Sequence, residues 1–233
     1  MISKVLPVVI LAGGKGTRLR EETEFIPKPM VKIGNLPILL HIINHFEKFG
    51  KFNFLVCTGY KEEIIFEYFK KYPKKNIKLI STGLNTLTAG RIKKTREFID
   101  DEFIMTYGDG LSDINISNLY QFHNSHKGSA TISVTKPVSR FGLIEFQSNG
   151  LVTNFVEKPL LNSFINMGYM VLNCDVFNYI DQDEMFESTP LKKLSNDRKI
   201  FAYKHGGFFM PMDTYRDYLE LAEIYENGNA PWI

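Results

Sequence analysis

The sequence predicts an α/β protein with a doubly wound, mostly parallel, Rossmann-like sheet. Apolar, strand-like runs alternate with helical patterns through the first half of the 233 residues, which is the order of successive βα units with right-handed crossovers. The first run, 8–12, is apolar on both faces, as expected for a strand buried inside a parallel sheet. The second half has strand-like runs with little helix between them, so we expect a small mixed or antiparallel extension there.

Local signals delimit each predicted element. A helix is expected at 37–46 because apolar residues recur at helical spacing between Pro37 and Gly50. A short buried strand at 54–58 ends at Gly59. The other predicted helices are 62–71, 90–98, 116–126 and 214–226, and the other predicted strands are 77–81, 103–107, 130–135, 142–146, 152–157 and 165–172.

Length and composition favour a single globular domain spanning 1–233. The hydrophobic content of 44% and the charged content of 23% are ordinary for such a domain. A formal net charge of +2 argues against a nucleic-acid or membrane partner, and no apolar run approaches the length of a membrane span. Cys57 and Cys174 both lie in apolar, strand-like runs. They are expected to be reduced core residues, which indicates a cytoplasmic protein.

A glycine-rich loop follows the first strand. The three glycines within 13–16 leave backbone N–H groups open to the close approach of a polyphosphate. Arg18 adds a guanidinium that can grip phosphate oxygens in pairs, and Lys28 is held between two prolines as a second cation. The spacing matches neither the P-loop nor GxGxxG. For the glycines alone, a simple tight turn is the alternative.

Two acidic residues are expected near this loop. Asp109 follows the strand at 103–107, and Asp213 lies in the segment 209–214. Ligands of open parallel sheets bind outside the carboxyl ends of the strands, where two converging carboxylates beside phosphates suit Mg²⁺. Such a site favours nucleotidyl transfer, with the cations stabilising the departing pyrophosphate. A phosphate nucleophile has a second pKa of about 6 and needs no general base.

Each of these residues also has a simpler interpretation. Taken alone, Asp109 between glycines is a turn residue, Asp213 before a threonine is a helix N-cap, and Lys28 is an exposed loop lysine. His41 and His45 lie one helical turn apart like a metal pair, but their helix is apolar and no third ligand is near in sequence. We therefore expect both histidines to be core residues.

Together the motifs resemble the sugar nucleotidyltransferase (nucleoside-diphosphate-sugar pyrophosphorylase) family, and within it the glucose-1-phosphate cytidylyltransferase branch. The resemblance covers nearly the whole chain. The segments that show it are 11–19, 20–23, 27–31, 37–39, 106–110, 140–142, 157–159, 211–217 and 230–232.

This resemblance implies the substrates CTP and a sugar 1-phosphate, in the first place glucose 1-phosphate, with Mg²⁺ as the cofactor. The products would be a CDP-sugar and pyrophosphate, for a surface-polysaccharide precursor, and the family suggests a homo-oligomer. It also implies a nucleotide-binding half, 1–136, and a sugar-binding half with the C-terminal helix, 137–233.

The resemblance further implies a role for particular residues. Arg18, Lys28, Asp109 and Asp213 would be catalytic, and the two aspartates would hold the metal. The sugar phosphate would be bound by Glu157, Lys158, Asn166 and Gly168. The nucleotide would be bound by Leu11, Ala12, Gly13, Gly14, Lys15, Gly16, Thr17, Arg18, Lys28, Thr86, Arg91 and Gly108.

The chain departs from the family pattern at three places. Met167 and Ala89 each stand where a glycine is usual, and the segment between Tyr60 and Thr88 is shorter. Met167 is expected to place a bulky side chain near the sugar, which leaves open the same chemistry on another phosphorylated sugar or polyol, or on another nucleotide. A non-catalytic nucleotide-sugar-binding module is a further alternative, although the full set of predicted cations and metal ligands is retained.

Overall fold

A seven-stranded mixed sheet forms the centre of the computed structural model, which describes residues 2–19 and 23–233. The segment 20–22, part of the family resemblance, lies outside this range. The strands are β1 (Ile2–Leu11), β2 (Lys32–Ile33), β3 (Leu36–Pro37), β4 (Gly50–Thr58), β5 (Ile77–Ser81), β6 (Glu102–Tyr107), β7 (Gly110–Ser112), β8 (Ala130–Thr135), β9 (Leu143–Phe146), β10 (Val152–Val156), β11 (Ile165–Asn173), β12 (Ile200–Lys204) and β13 (Phe209–Pro211).

Helices flank the sheet and link its strands. The α-helices are α1 (Ile38–Glu47), α2 (Glu62–Lys71), α3 (Thr88–Lys93), α4 (Ile116–Asn124), α5 (Thr189–Asn196) and α6 (Tyr215–Glu226), and single 3₁₀ segments cover Lys28–Met30, Arg96–Phe98 and Cys174–Tyr179. No helix of the described chain is both long and apolar enough to cross a membrane.

The strand order of the central sheet is β12-β8-β11-β6-β1-β4-β5. β1 pairs in parallel with both β4 and β6, β4 with β5, and β8 with β12. Only β11 runs the other way, between β6 and β8. The predicted α/β class with a mostly parallel sheet is therefore confirmed.

The structure differs from the sequence prediction in several details. Strands β1 and β4 begin earlier than predicted, and the short strands β2, β3, β7 and β13 were not predicted. The strand predicted at 165–172 belongs to the central sheet and not to an extension, because it pairs with β6 and β8 on its two edges. The predicted helix 90–98 is broken, because the hydroxyl of Thr95 donates to the Ile92 carbonyl (2.7 Å) and replaces the regular helical bonding there. Helix α5 and strand β12 were not predicted at all.

Each face of the sheet carries its own apolar core, as strand alternation requires. In β1, Val8 and Ile10 lie in the core that includes α1, whereas Val9 and Leu11 lie in the core that includes α3. Successive side chains of a strand point to opposite faces, so this strand must be apolar throughout. The continuous apolar run at the start of the chain is thereby explained.

Three chain segments meet at the carboxyl end of β1. The glycine-rich loop leaves β1 after Leu11, and Leu11 is in register with Tyr107 at the end of β6. Pro211 of β13 pairs with Gly110 of β7, directly after the loop between β6 and β7. The topology therefore brings residues from positions near 15, 109 and 213 to one edge of the sheet.

His41 and His45 are core residues, as predicted. The ring of His41 accepts a bond from Trp232 Nε1 (3.3 Å) at Nδ1, and its Nε2 donates to the Ile33 carbonyl (2.9 Å). An indole nitrogen can only donate, so this arrangement requires the neutral ring. Burial lowers the pKa of His41, and also that of His45, whose Nε2 lies 2.8 Å from the Ile114 carbonyl.

We expect stability to fall when the solution becomes mildly acidic. Because the pKa of His41 is lower in the folded than in the unfolded protein, neutral His41 contributes to the free energy of unfolding. This contribution is complete above the unfolded-state pKa of about 6.5, and it is lost as the pH falls through the folded-state pKa. Urea unfolding should show a smaller free energy of unfolding at about pH 5.5 than at about pH 7.5. In His41→Gln the pH dependence should be shallower; a dependence as steep as that of the unaltered protein would contradict this assignment.

Candidate active site

Close packing explains the first glycine of the loop after β1. The backbone of Gly13 lies against the guanidinium of Arg91, and a β-carbon at this position would overlap that group and crowd the Thr58 backbone. Arg91 Nη2 donates to the Gly13 carbonyl (2.9 Å), and Nη1 donates to the Thr58 carbonyl (2.9 Å) and to the hydroxyl of Thr82. Gly16 has φ of +61°, a left-handed conformation that glycine adopts without strain. Close packing therefore requires glycine at position 13, and the backbone conformation favours glycine at position 16.

The loop forms one wall of a cavity of about 320 Å³, here called the loop cavity. Its lining contains nearly all of the residues predicted to bind nucleotide. These are Leu11, Ala12, Gly13, Gly14, Gly16, Thr17, Arg18, Lys28, Thr86, Arg91 and Gly108. The predicted residue that does not line it is Lys15, whose side chain is exposed.

An ion-pair cluster lies at the edge of the loop cavity. Lys28 Nζ donates to Asp109 Oδ2 (2.7 Å) and to Asp213 Oδ1 (2.8 Å). Arg18 Nη1 approaches the other oxygen of Asp213 at 2.9 Å. The Lys28 side chain is only 9% exposed, whereas that of Arg18 is 72% exposed. The two predicted metal-binding aspartates thus converge on a single buried cation.

Asp213 does not cap the final helix, so its simpler interpretation is wrong. The side chain of Thr214 accepts from Asp217 N (3.3 Å), and the Asp217 carboxylate accepts from Thr214 N (2.7 Å), which forms a capping box. Asp217 also accepts from the backbone N–H of Asp213 (3.1 Å). The capping is done by its neighbours, so the Asp213 carboxylate is free to face Lys28 and Arg18.

Arg91 places a buried positive charge in the wall of the loop cavity. The residue is 4% exposed, and among the described residues no carboxylate lies within ion-pair distance of its guanidinium. Burial lowers the pKa of Arg91, although a guanidinium stays charged at neutral pH. An anionic ligand in the cavity would compensate this charge. The wall therefore suits a polyphosphate.

The four residues predicted to bind the sugar phosphate do not line the loop cavity. Glu157 and Lys158 are exposed, and Lys158 has a left-handed backbone with φ of +47°. The side chain of Asn166 accepts from Gly168 N (2.8 Å), and Gly168 packs against the ring of Tyr107, which does line the cavity. Of these four residues, Gly168 is next to the loop cavity through its contact with Tyr107.

Met167 occupies a different place from the one expected. Its side chain is 3% exposed, belongs to the core that includes α1, and lines none of the cavities described. Neighbouring residues on a strand point to opposite faces, so Asn166 faces away from that core while Met167 fills it. The expectation that Met167 adds bulk near the sugar is therefore wrong.

Several cavity residues were not predicted from the sequence. Tyr107 could have been found, since it immediately precedes Gly108 at the end of a predicted strand. Pro29 was quoted only as a neighbour of Lys28. The remaining ones, Leu87, Thr88 and Met185, carry no signal of their own in the sequence, and Met185 reaches the cavity from a distant loop.

Residues 7–215 match the nucleotidyl transferase family, and the chain belongs to that family. The predicted resemblance to sugar nucleotidyltransferases is thereby confirmed. The chain is 40% identical to the glucose-1-phosphate cytidylyltransferase of Salmonella typhi, over 97% of this chain and 98% of that protein. It is 39% identical, with the same coverage, to the glucose-1-phosphate cytidylyltransferase of Salmonella typhimurium.

Solved structures show the same fold. HddC from Yersinia pseudotuberculosis matches with a TM-score of 0.74 and 26% identity, over 95% of this chain and 100% of that one. A UDP-glucose pyrophosphorylase matches with a TM-score of 0.72 and 18% identity, over 97% of this chain and 99% of that one, a likeness in fold alone.

Replacing the shared cation should destabilise the protein. In Lys28→Met the carboxylates of Asp109 and Asp213 lose the charge that they share. Removing one partner of a fully buried ion pair costs 3–5 kcal/mol, and because these carboxylates are partly exposed we expect about 2 kcal/mol. The measurement is urea unfolding, with Lys32→Met as the control at an exposed lysine. Equal losses in both variants would contradict the role given to Lys28.

Proposed function

We propose that this chain transfers the cytidylyl group of CTP to a sugar 1-phosphate, in the first place glucose 1-phosphate. The observation that supports this most strongly is the convergence of Asp109, Asp213 and Lys28 beside the loop cavity. Two relatives that the chain matches along almost its whole length are glucose-1-phosphate cytidylyltransferases. The products would be a CDP-sugar and pyrophosphate, of use as a surface-polysaccharide precursor.

Asp109 and Asp213 are proposed to hold Mg²⁺. The donor set fits, because two carboxylates already share one cation and Mg²⁺ prefers one or two carboxylates together with phosphate oxygens. The described chain contains no cluster of three or more His, Cys, Asp or Glu residues suited to a metal, so the substrate phosphates would supply the remaining ligands. When bound, the metal would neutralise negative charge at the α-phosphate.

The protein's own groups position the reactants and stabilise charge. The loop backbone and the guanidinium of Arg91 would hold CTP, while Arg18 and Lys28 would stabilise the departing pyrophosphate. A sugar-phosphate oxygen forms a bond to the α-phosphorus, and the bond from this phosphorus to the pyrophosphate oxygen breaks, with the electron pair leaving on pyrophosphate. The attacking phosphate is already ionised, so no side chain needs to take a proton.

The sugar phosphate is proposed to bind beside Tyr107. Lys158 would hold its phosphate, while Glu157, Asn166 and Gly168 would face the hydroxyl groups. The contact of Gly168 with Tyr107 supports this placement, since it joins the segment 166–168 to the wall of the loop cavity.

We also propose that 1–136 and 137–233 act as the nucleotide-binding and sugar-binding halves of one domain. Strands β11 and β12 of the second half pair with β6 and β8 of the first, which supports a common core.

Cys57 is free and buried, and burial raises the pKa of its thiol to about 12. Two free cysteines agree with the cytoplasmic location that we propose.

The transfer is tested by pyrophosphate release across the four nucleoside triphosphates and several sugar phosphates. We expect the highest kcat/KM with CTP, and loss of turnover without a divalent cation. Asp109→Asn keeps the size of the side chain but removes its charge, so kcat should fall about 100-fold or more with little change in stability.

Asp100→Asn is the matched control, because it removes an exposed carboxylate outside the cavity. A near-normal kcat in Asp109→Asn with Mg²⁺ would contradict the metal assignment. Strong preference for a nucleotide other than CTP would overturn the proposed donor, and no pyrophosphate from any pair would favour a binding module.

A homo-oligomer is proposed on the basis of the β9–β10 hairpin. Apolar side chains are exposed along both of its strands, including Ile144 (51%), Phe146 (69%) and Phe155 (59%). Contiguous exposed apolar residues typically mark an interaction surface. Light scattering should therefore find a mass above 26.9 kDa, and Phe146→Glu with Phe155→Glu should reduce it.

Phe66→Glu, on the exposed side of α2, is the control and should leave the mass unchanged. A monomeric unaltered protein, or a mass that the hairpin variant does not change, would contradict this proposal.

A further inference from the structure

A second and larger cavity, of about 760 Å³, opens at the same edge of the central sheet. The carboxyl ends of β8 and β12 reach it at Thr135 and Lys204, and the start of β11 reaches it at Ile165. Strand β13 forms another wall. We call it the acceptor-side cavity, because it adjoins the segment that leads to Asp213.

The two cavities share no lining residue, yet both border the acidic pair. Asp109 lines the loop cavity. Pro211 lines the acceptor-side cavity, and it pairs with Gly110, the residue after Asp109. Asp217, also in this lining, accepts the backbone N–H of Asp213. A molecule in the acceptor-side cavity would therefore lie close to the site of transfer without entering the proposed nucleotide site.

Two lysines in this cavity face one aromatic ring. Lys136 Nζ lies 5.6 Å from the centroid of the Phe164 ring, and Lys204 Nζ lies 5.5 Å from it. Phe164 is 45% exposed. Within the described chain, neither ammonium has a carboxylate within ion-pair distance. Strand β8 pairs with β11 at Thr135 and with β12 at Val134, which brings the two lysines and Phe164 to neighbouring positions. Like charges near one ring repel each other, and an anion within reach of both would relieve this repulsion.

Apart from Glu220, the other ionisable groups of this cavity have partners. His205 pairs with Asp113 (2.9 Å), and Arg140 lies 3.6 Å from Asp217. Glu220 also lines the cavity, but it makes no ion pair with either lysine. The uncompensated charge of the cavity is therefore positive, and it is concentrated around Phe164.

We propose that Lys136, Phe164 and Lys204 form a subsite for a second anionic group of the acceptor substrate. This group is a phosphate or carboxylate remote from the phosphate that is transferred. The inference rests on the proposed function, and it extends the acceptors beyond glucose 1-phosphate to phosphorylated sugars that carry a second anionic group. The ring supplies a flat apolar surface for the carbon skeleton, and the two ammonium groups bind the distal anion.

The experiment compares acceptors with and without a second anion. Calorimetry measures the Kd of glucose 1-phosphate, glucose 1,6-bisphosphate and glucuronic acid 1-phosphate, and kcat/KM with CTP is measured in parallel. The variant is Lys136→Gln with Lys204→Gln. Its control is Lys70→Gln with Lys127→Gln, which makes the same change in net charge at exposed lysines outside both cavities.

We expect the unaltered protein to bind at least one doubly anionic acceptor about tenfold more tightly than glucose 1-phosphate, as charge-assisted hydrogen bonds allow. The Lys136/Lys204 variant should lose this preference while its Kd for glucose 1-phosphate stays the same. The control should retain it. A Phe164→Leu variant should weaken the preference in part, and thermal melting confirms that each variant is folded.

Three results would overturn the proposal. The unaltered protein could show no preference for a second anion, or the lysine variant could weaken all three acceptors equally. Inorganic phosphate could also bind in a lysine-dependent way without any preference among the acceptors, which would indicate a free anion as the ligand.

Failure of the proposed transfer reaction can be distinguished from failure of this subsite proposal. In that case no triphosphate would yield pyrophosphate, although the lysine-dependent preference would persist in the binding data.

Discussion

The site depends on the ion pairs that the buried ammonium of Lys28 makes with Asp109 and Asp213. The ammonium joins residues that are 81 and 185 positions away in the chain, and it does so within hydrogen-bonding distance of both. Two carboxylates that both lie within hydrogen-bonding distance of the same atom repel each other unless that atom belongs to a cation. The position of this one cation therefore fixes the segment Lys28–Met30, the loop after β6 and the segment before α6 relative to one another. Sheet pairing brings these segments near, and the ion pairs set their final distance.

Arg91 holds two backbone segments together, as Lys28 holds two acidic side chains together. Arg91 lies in α3, and its guanidinium donates hydrogen bonds to the carbonyls of Gly13 and Thr58. These bonds hold the loop after β1 against the end of β4. A planar group with several fixed donors can satisfy these acceptors at once, which an ammonium could not do in the same geometry. This arrangement leaves the charge of Arg91 uncompensated and directed at the cavity, where it favours an anionic ligand.

Local patterns were enough to find most of the first half of the fold. The helix at 62–71 and the strands at 77–81 and 130–135 have the predicted bounds, because charge distribution, apolar periodicity and bordering glycines or prolines agree there. The strand at 165–173 was found, but its place between β6 and β8 depends on pairing with distant residues. Helix α5 and strand β12 were missed, since both are short and largely exposed, and they carry weak periodicity.

The same limit applies to the site. Glycine spacing and strand ends pointed to the loop after β1 and to Asp109, whereas Thr86 and Arg91 were expected only from the family resemblance. For Asp213 the sequence allowed two roles, and the capping box formed by Thr214 and Asp217 excludes the N-cap role. Met167 was misplaced because its direction depends on the register of β11. Lys136, Phe164 and Lys204 come from three separate segments and share no local motif, so only the folded chain reveals that they meet.

The ion-pair cluster also constrains how ligands enter. Lys28 is engaged with both carboxylates, whereas the exposed Arg18 uses only part of its guanidinium on Asp213 and keeps other N–H donors for phosphate oxygens. If Asp109 and Asp213 instead hold a divalent cation, the two basic side chains lose their partners and become available to the polyphosphate. Binding is then an exchange of partners in which each charge remains paired, and an exchange avoids the cost of exposing isolated charges in a partly buried site.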